Sequence, residues 1–305
     1  MNLVSAFFRL VRWPNLVFIV LTQALFYFCV YLPLYHQHRT VKLMLLILAS
    51  VFIAAAGYII NDYFDLNIDR INKPEQNVVD RVIHRRWAII WHLLLSVFGI
   101  ILTALGVGLH HWYLALANVL CVGLLWFYST SFKRQLLIGN VIISLLTAWT
   151  ILFVFFAFSS PNNAFNTTDP VSVKFFRIAF LYSGFAFVIS LIREAVKDME
   201  DMEGDARYGC RTLPLVAGVR GTKIYSATWI IVLVSTLTLL QVYVLQFGWW
   251  PAVVYSTLLV ILPLLFTLQR LRKANHTKDF AQLSRYTKLI MFAGILSMIF
   301  FAFYF

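Results

Sequence analysis

Nine stretches of about twenty apolar residues each, joined by polar segments, limit what this chain can fold into. They run over roughly 14–34, 41–62, 87–109, 112–128, 138–159, 174–197, 223–246, 249–269 and 286–305. A helix needs about twenty apolar residues to cross a ~30 Å hydrocarbon core, and only helices or closed barrels satisfy their backbone polar groups there. Gly57, Pro263 and Gly294 fall inside these stretches, and membrane helices tolerate both residue types. Hydrophobic residues make up 61% of the chain and charged residues 12%, against roughly 45–50% and 25% in soluble domains. The predicted fold class is an all-α polytopic membrane protein, one integral-membrane domain over 1–305.

The bases orient it. Of the 25 Lys and Arg, all but Arg39, Lys42, Lys174 and Arg177 fall on one side if the N-terminus is cytosolic. The positive-inside rule then places the N-terminus in the cytosol and, with nine helices, the C-terminus outside. The same rule accounts for the +12 net charge without a nucleic-acid partner. The apolar run after Arg9 and Arg12 is too long for a cleavable signal and is expected to stay as the first span. Cys29, Cys121 and Cys210 form no CxxC pair and are expected to be inert. Asn166-Thr167-Thr168 is a glycosylation sequon in an external loop, relevant only in a eukaryotic source.

The acids carry the chemistry. Eleven of the thirteen fall within 62–80 and 194–205. Asn61-Asp62-Tyr63-Phe64-Asp65-Leu66-Asn67-Ile68-Asp69 and Lys197-Asp198-Met199-Glu200-Asp201-Met202-Glu203-Gly204-Asp205 each contain DxxDxxxD, offset by 136 residues. The offset predicts two pseudo-symmetric four-helix halves, about 14–128 and 138–269, with a ninth helix at about 286–305. At about 100° per residue, positions i, i+3 and i+7 share roughly a 60° arc, so each row extends a membrane helix with three carboxylates on one face. Each row also opens a long cytosolic connection, 63–86 and 198–222, beyond the length at which loops tend to be functional.

Two like charges 4–6 Å apart repel by about 3–4 kcal/mol at an effective dielectric near 20. Facing rows therefore need multivalent cations, or they would take up protons; the blander alternative is a solvated charge run, or carboxylates paired with Arg70, Lys73, Arg193 and Lys197. A solvated charge run explains one row but not two with the same spacing on the same side. Hard oxygen ligands at a membrane boundary suit Mg²⁺, which is commonly shared between carboxylates and substrate phosphates. Paired aspartate rows with Mg²⁺ are one way to ionise an allylic diphosphate: the metal neutralises the leaving pyrophosphate and nearby Lys or Arg add to the clamp. A greasy substrate tail would explain a site inside a membrane bundle.

The segment Asn61 to Asp69, followed by Asn72-Lys73-Pro74, resembles the first signature of the UbiA family of intramembrane prenyltransferases. Arg193-Glu194 through Asp198, Asp201, Glu203-Gly204-Asp205 and Thr212-Leu213-Pro214 resembles the second, and Tyr128-Ser129 with Lys133 and Gly139-Asn140 a third family element. The resemblance implies that Asn61, Asp62, Asp65, Asp69, Asp198, Asp201 and Asp205 hold Mg²⁺ and diphosphate, with Asp65, Asp69, Asp201 and Asp205 as the catalytic carboxylates. It implies substrate contacts from Tyr128, Ser129 and Lys133, with Arg70, Lys73, Arg193, Lys197 and Asn15 as further candidates. Whether Glu194, Glu200 or Glu203 join the metal site is left open.

The implied function is Mg-dependent transfer of a prenyl group from a polyprenyl diphosphate to a lipophilic acceptor, in a bacterial inner membrane with the site facing the cytosol. The second motif looks most like the branch that prenylates geranylgeranylglyceryl phosphate. An aromatic quinone precursor such as hydroxybenzoate or dihydroxynaphthoate is the alternative acceptor. Many family members have an RPxxxG-like stretch after the first motif, whereas this chain reads Val78-Val79-Asp80-Arg81-Val82-Ile83-His84-Arg85-Arg86. That loop would cover the pocket, so the acceptor stays open.

Other readings fit less well. A transporter would place ionisable groups near the midplane on broken helices, and a lipid-binding scaffold needs no aligned carboxylates. A CDP-alcohol phosphotransferase requires further acids after its DxxDGxxAR, and none follows Asp205 until Asp279. His110-His111 is expected to be an interfacial turn and His84 a solvated loop residue.

Overall fold

The computed structural model describes residues 3–72, 79–80, 82–159 and 168–305. Among these, nine helices are long and apolar enough to cross a membrane. A short helix α1 (Leu3–Leu10) precedes them. The spans are α2 (Trp13–Tyr35), α3 (Thr40–Asn72), α4 (Arg85–Val107), α5 (Leu109–Thr130), α6 (Ile138–Phe158) and α7 (Pro170–Glu200), then α9 (Leu213–Leu245), α10 (Trp250–Lys273) and α11 (Thr277–Tyr304). Between α7 and α9 lies the short helix α8 (Met202–Arg207). The only β-type pairing described is one isolated bridge, Val79 to Ile83. The protein is a multi-pass, all-helical membrane protein.

The sequence and structure differ most at the acid clusters. α3 runs past the apolar stretch ending near residue 62 to Asn72, so the first row extends a membrane helix as its spacing predicts, and the connection expected at 63–86 begins only after it. Nothing between Asn61 and Asn72 breaks a helix, and the first proline is Pro74, which disfavours helix only just before itself. At 33 residues, α3 is about 50 Å long and carries its acids beyond a hydrocarbon core of about 30 Å. The connection expected at 198–222 is likewise structured. It forms α8, a turn with positive φ at Gly209, and the first turns of α9, which kinks at Gly218 (φ 73°). The turns at His110-His111 and near Gly248 are short, as expected.

The end of the bundle away from the acids is packed solid. Phe26, Tyr27 and Tyr31 of α2 meet Phe153, Phe155 and Phe158 of α6 and Phe175 of α7, all buried. Tyr31 and Phe158 lie 4.6 Å apart between ring centroids. Large side chains such as Leu93, Phe98 and Leu105 of α4 stay exposed, as they must on a surface that meets lipid. Asp169 caps α7, accepting from the Ser172 and Val171 backbone N–H groups at 3.0 and 3.2 Å. The acid rows sit at the same end of the bundle, at the termini of the second and sixth spans.

Candidate active site

The two rows line one cavity of about 1080 Å³. Asn61, Asp62, Asp65 and Asp69 of α3 line it, as do Arg193, Glu194, Lys197 and Asp198 of α7, then Asp201 and Asp205. The first row stays on one helix face, as its spacing predicts. The second does not. The helix ends at Glu200, Asp201 takes φ −95° and ψ 6°, and Asp205 sits on α8. The spacing alone therefore misdescribes the second row: a break turns its last acid toward the cavity on a separate short helix.

Asn72 holds that break in place. Its Nδ2 donates to the Asp201 carbonyl at 2.9 Å, and its Oδ1 accepts from the Gly204 N–H at 2.8 Å. One side-chain amide at the end of α3 thus supplies an acceptor for the Gly204 N–H, which the interrupted helix leaves without one, and a second donor to the Asp201 carbonyl, which also accepts from the Asp205 N–H at 3.2 Å. The contact leaves no room for a larger residue at 204: a Cβ there would lie 2.6 Å from both amide atoms of Asn72.

Cations compensate the carboxylates, and of these only Arg12 comes from outside the expected set. Arg12, with left-handed backbone (φ 51°), places its guanidinium 2.6 Å from Asp62 Oδ1. The Asp62 carboxylate beside it pushes the Arg12 pKa well above its ordinary value. Lys133, on the 3₁₀ turn Phe132–Arg134, forms an ion pair with Asp65, and the two side chains are only 10% and 15% exposed. Its Nζ also reaches Asn61 Oδ1 at 3.5 Å. Asn140 Nδ2 donates to Asp198 Oδ2 at 2.8 Å. Glu194, buried, accepts from Arg193 and Lys197, each at 2.9 Å.

Most of the expected residues converge. Asn15, Asn61, Tyr128, Lys133, Arg193 and Lys197 line the cavity along with all six row aspartates. Two do not. Arg70 is 57% exposed and faces Asp80 at 3.5 Å, because position 70 follows Asp69 by 100° around α3 and leaves the acidic face. Ser129 is buried and donates to the Leu125 carbonyl at 2.8 Å, the back-bond that places a serine hydroxyl on its own helix. Neither lines the cavity. Lys73 lies outside the described residues, as do Arg81 and the Asn166 of the sequon.

The alternative set aside from the sequence, row carboxylates neutralised by Arg70, Lys73, Arg193 and Lys197, is not the pairing found among the described residues. Arg193 and Lys197 serve Glu194 instead, and Arg12 and Lys133 serve the first row. Arg12, Tyr58, Asn140, Glu194 and Lys288 complete the site, with Asn72 behind it. Arg12 and Lys288 had disappeared into the positive-inside count, although a lysine within an apolar run signals function by its cost. His84 and His110 are exposed and off the cavity, and His111 contacts Tyr113. The three cysteines are free and buried; burial raises the Cys210 thiol pKa and suppresses its reactivity.

The cavity changes character with depth. Below the acids it is lined by Ile53, Leu125, Leu146, Trp149, Met291 and Ile295. Asp65 and Ser50, both lining residues of α3, are fifteen residues apart, about 22 Å along the helix. At the deep end Trp149 Nε1 donates to Asn118 Oδ1 at 3.0 Å, and Asn118 Nδ2 donates to Thr103 Oγ1 at 2.8 Å.

The donor set fits hard divalent cations. Among the described residues no three His, Cys, Asp or Glu side chains already converge on one metal position. Carboxylates instead line the cavity from α3, α7 and α8. That is the requirement of Mg²⁺, which takes one or two carboxylates and completes its shell with water and substrate phosphate oxygens.

An intramembrane chamber with a polyanion-handling mouth and an apolar shaft for a chain defines the class: an enzyme that acts on lipid diphosphates within the membrane. The chain matches the family described as "UbiA prenyltransferase family" over residues 15–300, and it belongs to that family of prenyl-transferring enzymes. It is 33% identical over 266 residues to the digeranylgeranylglyceryl phosphate synthase of Methanothermobacter thermautotrophicus, covering 84% of this chain and 83% of that protein. The enzyme of the same name from Sulfurisphaera tokodaii is 32% identical over 234 residues, 76% of this chain and 77% of that one. A solved structure described as concerning digeranylgeranylglyceryl phosphate synthase in membranes aligns over the whole of both chains, with TM-score 0.67 and 25% identity. A UbiA homologue from Archaeoglobus fulgidus bound to GPP and Mg²⁺ shares the fold, with TM-score 0.58 at 16% identity over 96% of this chain and 99% of that one.

Proposed function

We propose that the protein transfers a geranylgeranyl group from its diphosphate to the free hydroxyl of geranylgeranylglyceryl phosphate, with Mg²⁺ as cofactor. The observation that carries this is one cavity lined by both aspartate rows and continuing into an apolar shaft about 20 Å deep. With carbon–carbon bonds of about 1.5 Å, an extended four-isoprene chain matches that depth. The names of the relatives support the acceptor.

Asp62, Asp65, Asp69, Asp198, Asp201 and Asp205, with Asn61, would hold Mg²⁺, which would neutralise the diphosphate as it leaves. Lys133 and Lys197 present cations to the same diphosphate. The bond between prenyl C1 and the diphosphate oxygen breaks, and its electron pair leaves with pyrophosphate. Tyr128 and Trp149 bring aromatic rings to the cavity in which the allylic cation would form, and its mainly apolar walls limit water there. The acceptor oxygen then gives an electron pair to C1, and its proton passes to pyrophosphate, a stronger base than a carboxylate.

We read the acidic end as cytosolic, from the bias of Lys and Arg toward it. The sequence reading of a bacterial inner membrane is part of this proposal, although the relatives named above are archaeal. We also read the bundle as two four-helix halves with a ninth helix, supported by the acid rows ending spans four apart.

The test is product formation in membranes supplied with labelled geranylgeranyl or farnesyl diphosphate and a panel of acceptors. Pyrophosphate release with the glyceryl phosphate acceptor is expected only with Mg²⁺, and Asp65→Ala and Asp201→Ala are each expected to abolish it while the protein stays folded. Full activity in either variant, or in excess chelator, overturns the metal–diphosphate reading. Turnover of hydroxybenzoate or dihydroxynaphthoate in place of the glyceryl phosphate overturns the acceptor.

A further inference from the structure

Lys288 is a cation that the mechanism above does not use. It lies in α11, eleven residues past Thr277, and lines the cavity. A lysine in a membrane span is normally paired with an acid or kept for function. Among the described residues no carboxylate reaches ion-pair distance of Lys288: Arg12 engages Asp62, Lys133 engages Asp65, and Arg193 and Lys197 share Glu194. Its ammonium instead donates to Asn15 Oδ1 at 2.7 Å and sits 5.2 Å from the Phe18 ring centroid. Arg193 has a buried Nε–H with no hydrogen-bond partner.

An ammonium with no carboxylate partner and a guanidinium with an unused buried donor line the same cavity, and both suit an anion. The donor diphosphate is not that anion, since its place is between the aspartate rows, where Lys133 and the metal ions lie. Lys288 stands apart from them, held by Asn15, whose backbone N–H donates to the Arg12 carbonyl at 2.8 Å, with the Arg12 guanidinium 5.3 Å from the Tyr58 ring centroid. Tyr58 is one helical turn below Asp62 on α3. An anion held at Lys288 would therefore lie beside the reacting carbon rather than on it. We infer that Lys288, with Asn15 and the Arg193 Nε–H, binds the phosphate monoester of the acceptor lipid and so selects an anionic acceptor headgroup. The inference rests on the proposed transfer to a glyceryl phosphate and adds the residues that recognise it.

The test separates the two anionic substrates. Wild type, Lys288→Met and Lys288→Arg are assayed in lipid nanodiscs with Mg²⁺, varying the glyceryl phosphate acceptor at saturating donor and then the reverse. Lys288→Met is expected to raise the acceptor KM about 10- to 100-fold, the loss of one charge-assisted hydrogen bond, with the donor KM unchanged. Lys288→Arg is expected to restore most of the loss. Inorganic phosphate is expected to compete with the acceptor in wild type and to lose that effect in Lys288→Met. An unchanged acceptor KM, or a donor KM that rises as much, overturns the inference. An unaltered donor KM in Lys288→Met verifies folding. If the wild type makes no product with any glyceryl phosphate, the proposed function itself has failed, and that is visible before any variant is measured.

Discussion

The second aspartate row depends on a side chain from the first. Asn72→Ala removes both hydrogen bonds that fasten Asp201 and Gly204 to the end of α3. Each is worth about 0.5–1.5 kcal/mol net, so the arrangement loses about 1–3 kcal/mol. Because the latch positions one acid row against the other, the loss falls on the assembled site, and kcat/KM for pyrophosphate release is expected to fall about 5- to 100-fold. The thermal midpoint should fall by no more than about 5 °C, since the spans themselves are untouched. Gly204→Ala should do similar damage, because its Cβ would lie 2.6 Å from the Asn72 amide. The decisive measurement is the double variant. Asn72→Ala removes the atoms that the new Cβ meets, so the two effects must be strongly non-additive, with the double variant close to Asn72→Ala alone. Additive losses would refute the latch, as would an Asn72→Ala enzyme of full activity.

Two further substitutions probe the mouth and the floor of the cavity. Gly139→Ala places a Cβ 2.8 Å from Lys133 Cα and 3.1 Å from Phe132 O; these are backbone atoms, so the turn carrying Lys133 must shift and release Asp65. An overpacking cost of about 1–3 kcal/mol is expected, read as a fall in kcat/KM for the donor. Trp149→Ala removes the side chain that closes the shaft through Asn118, and the preference for a five-isoprene over a four-isoprene donor should rise by about tenfold, the scale at which hydrophobic pockets discriminate chain length. An unchanged preference in competition assays would place the floor elsewhere.

How much of this was visible in the chain depends on which interactions are local. The spans were legible because membrane crossing is a property of twenty consecutive residues, and the first acid row because its spacing and its helix are both local. Asp201 marks where that reasoning ends. Its spacing copies Asp65, but the break beneath it is stabilised by Asn72, 129 residues away in sequence, and no local pattern contains that partner. Arg70 shows the converse error. It adjoins the motif in sequence and is chemically suited to phosphate, yet one residue of helical rotation carries it off the face.

The bases were the harder half of the reading because a membrane protein uses them for two purposes with the same residue types. Topology needs only that Lys and Arg accumulate on one side, so a count along the sequence assigns Arg12 and Lys288 to orientation and stops there. Depth separates the populations. Arg70 and Arg207 are more than half exposed and pair with exposed acids, where an ion pair contributes about 0–1 kcal/mol. Lys133, Arg193 and Lys197 are a quarter exposed or less, where an uncompensated charge costs several kcal/mol. The second group is retained against that cost, and each member lines the cavity together with Arg12 and Lys288. In a chain with few charges, the bases placed where they are least stable are therefore the ones we propose for substrate binding, and the acid rows indicate the substrate charge they would face.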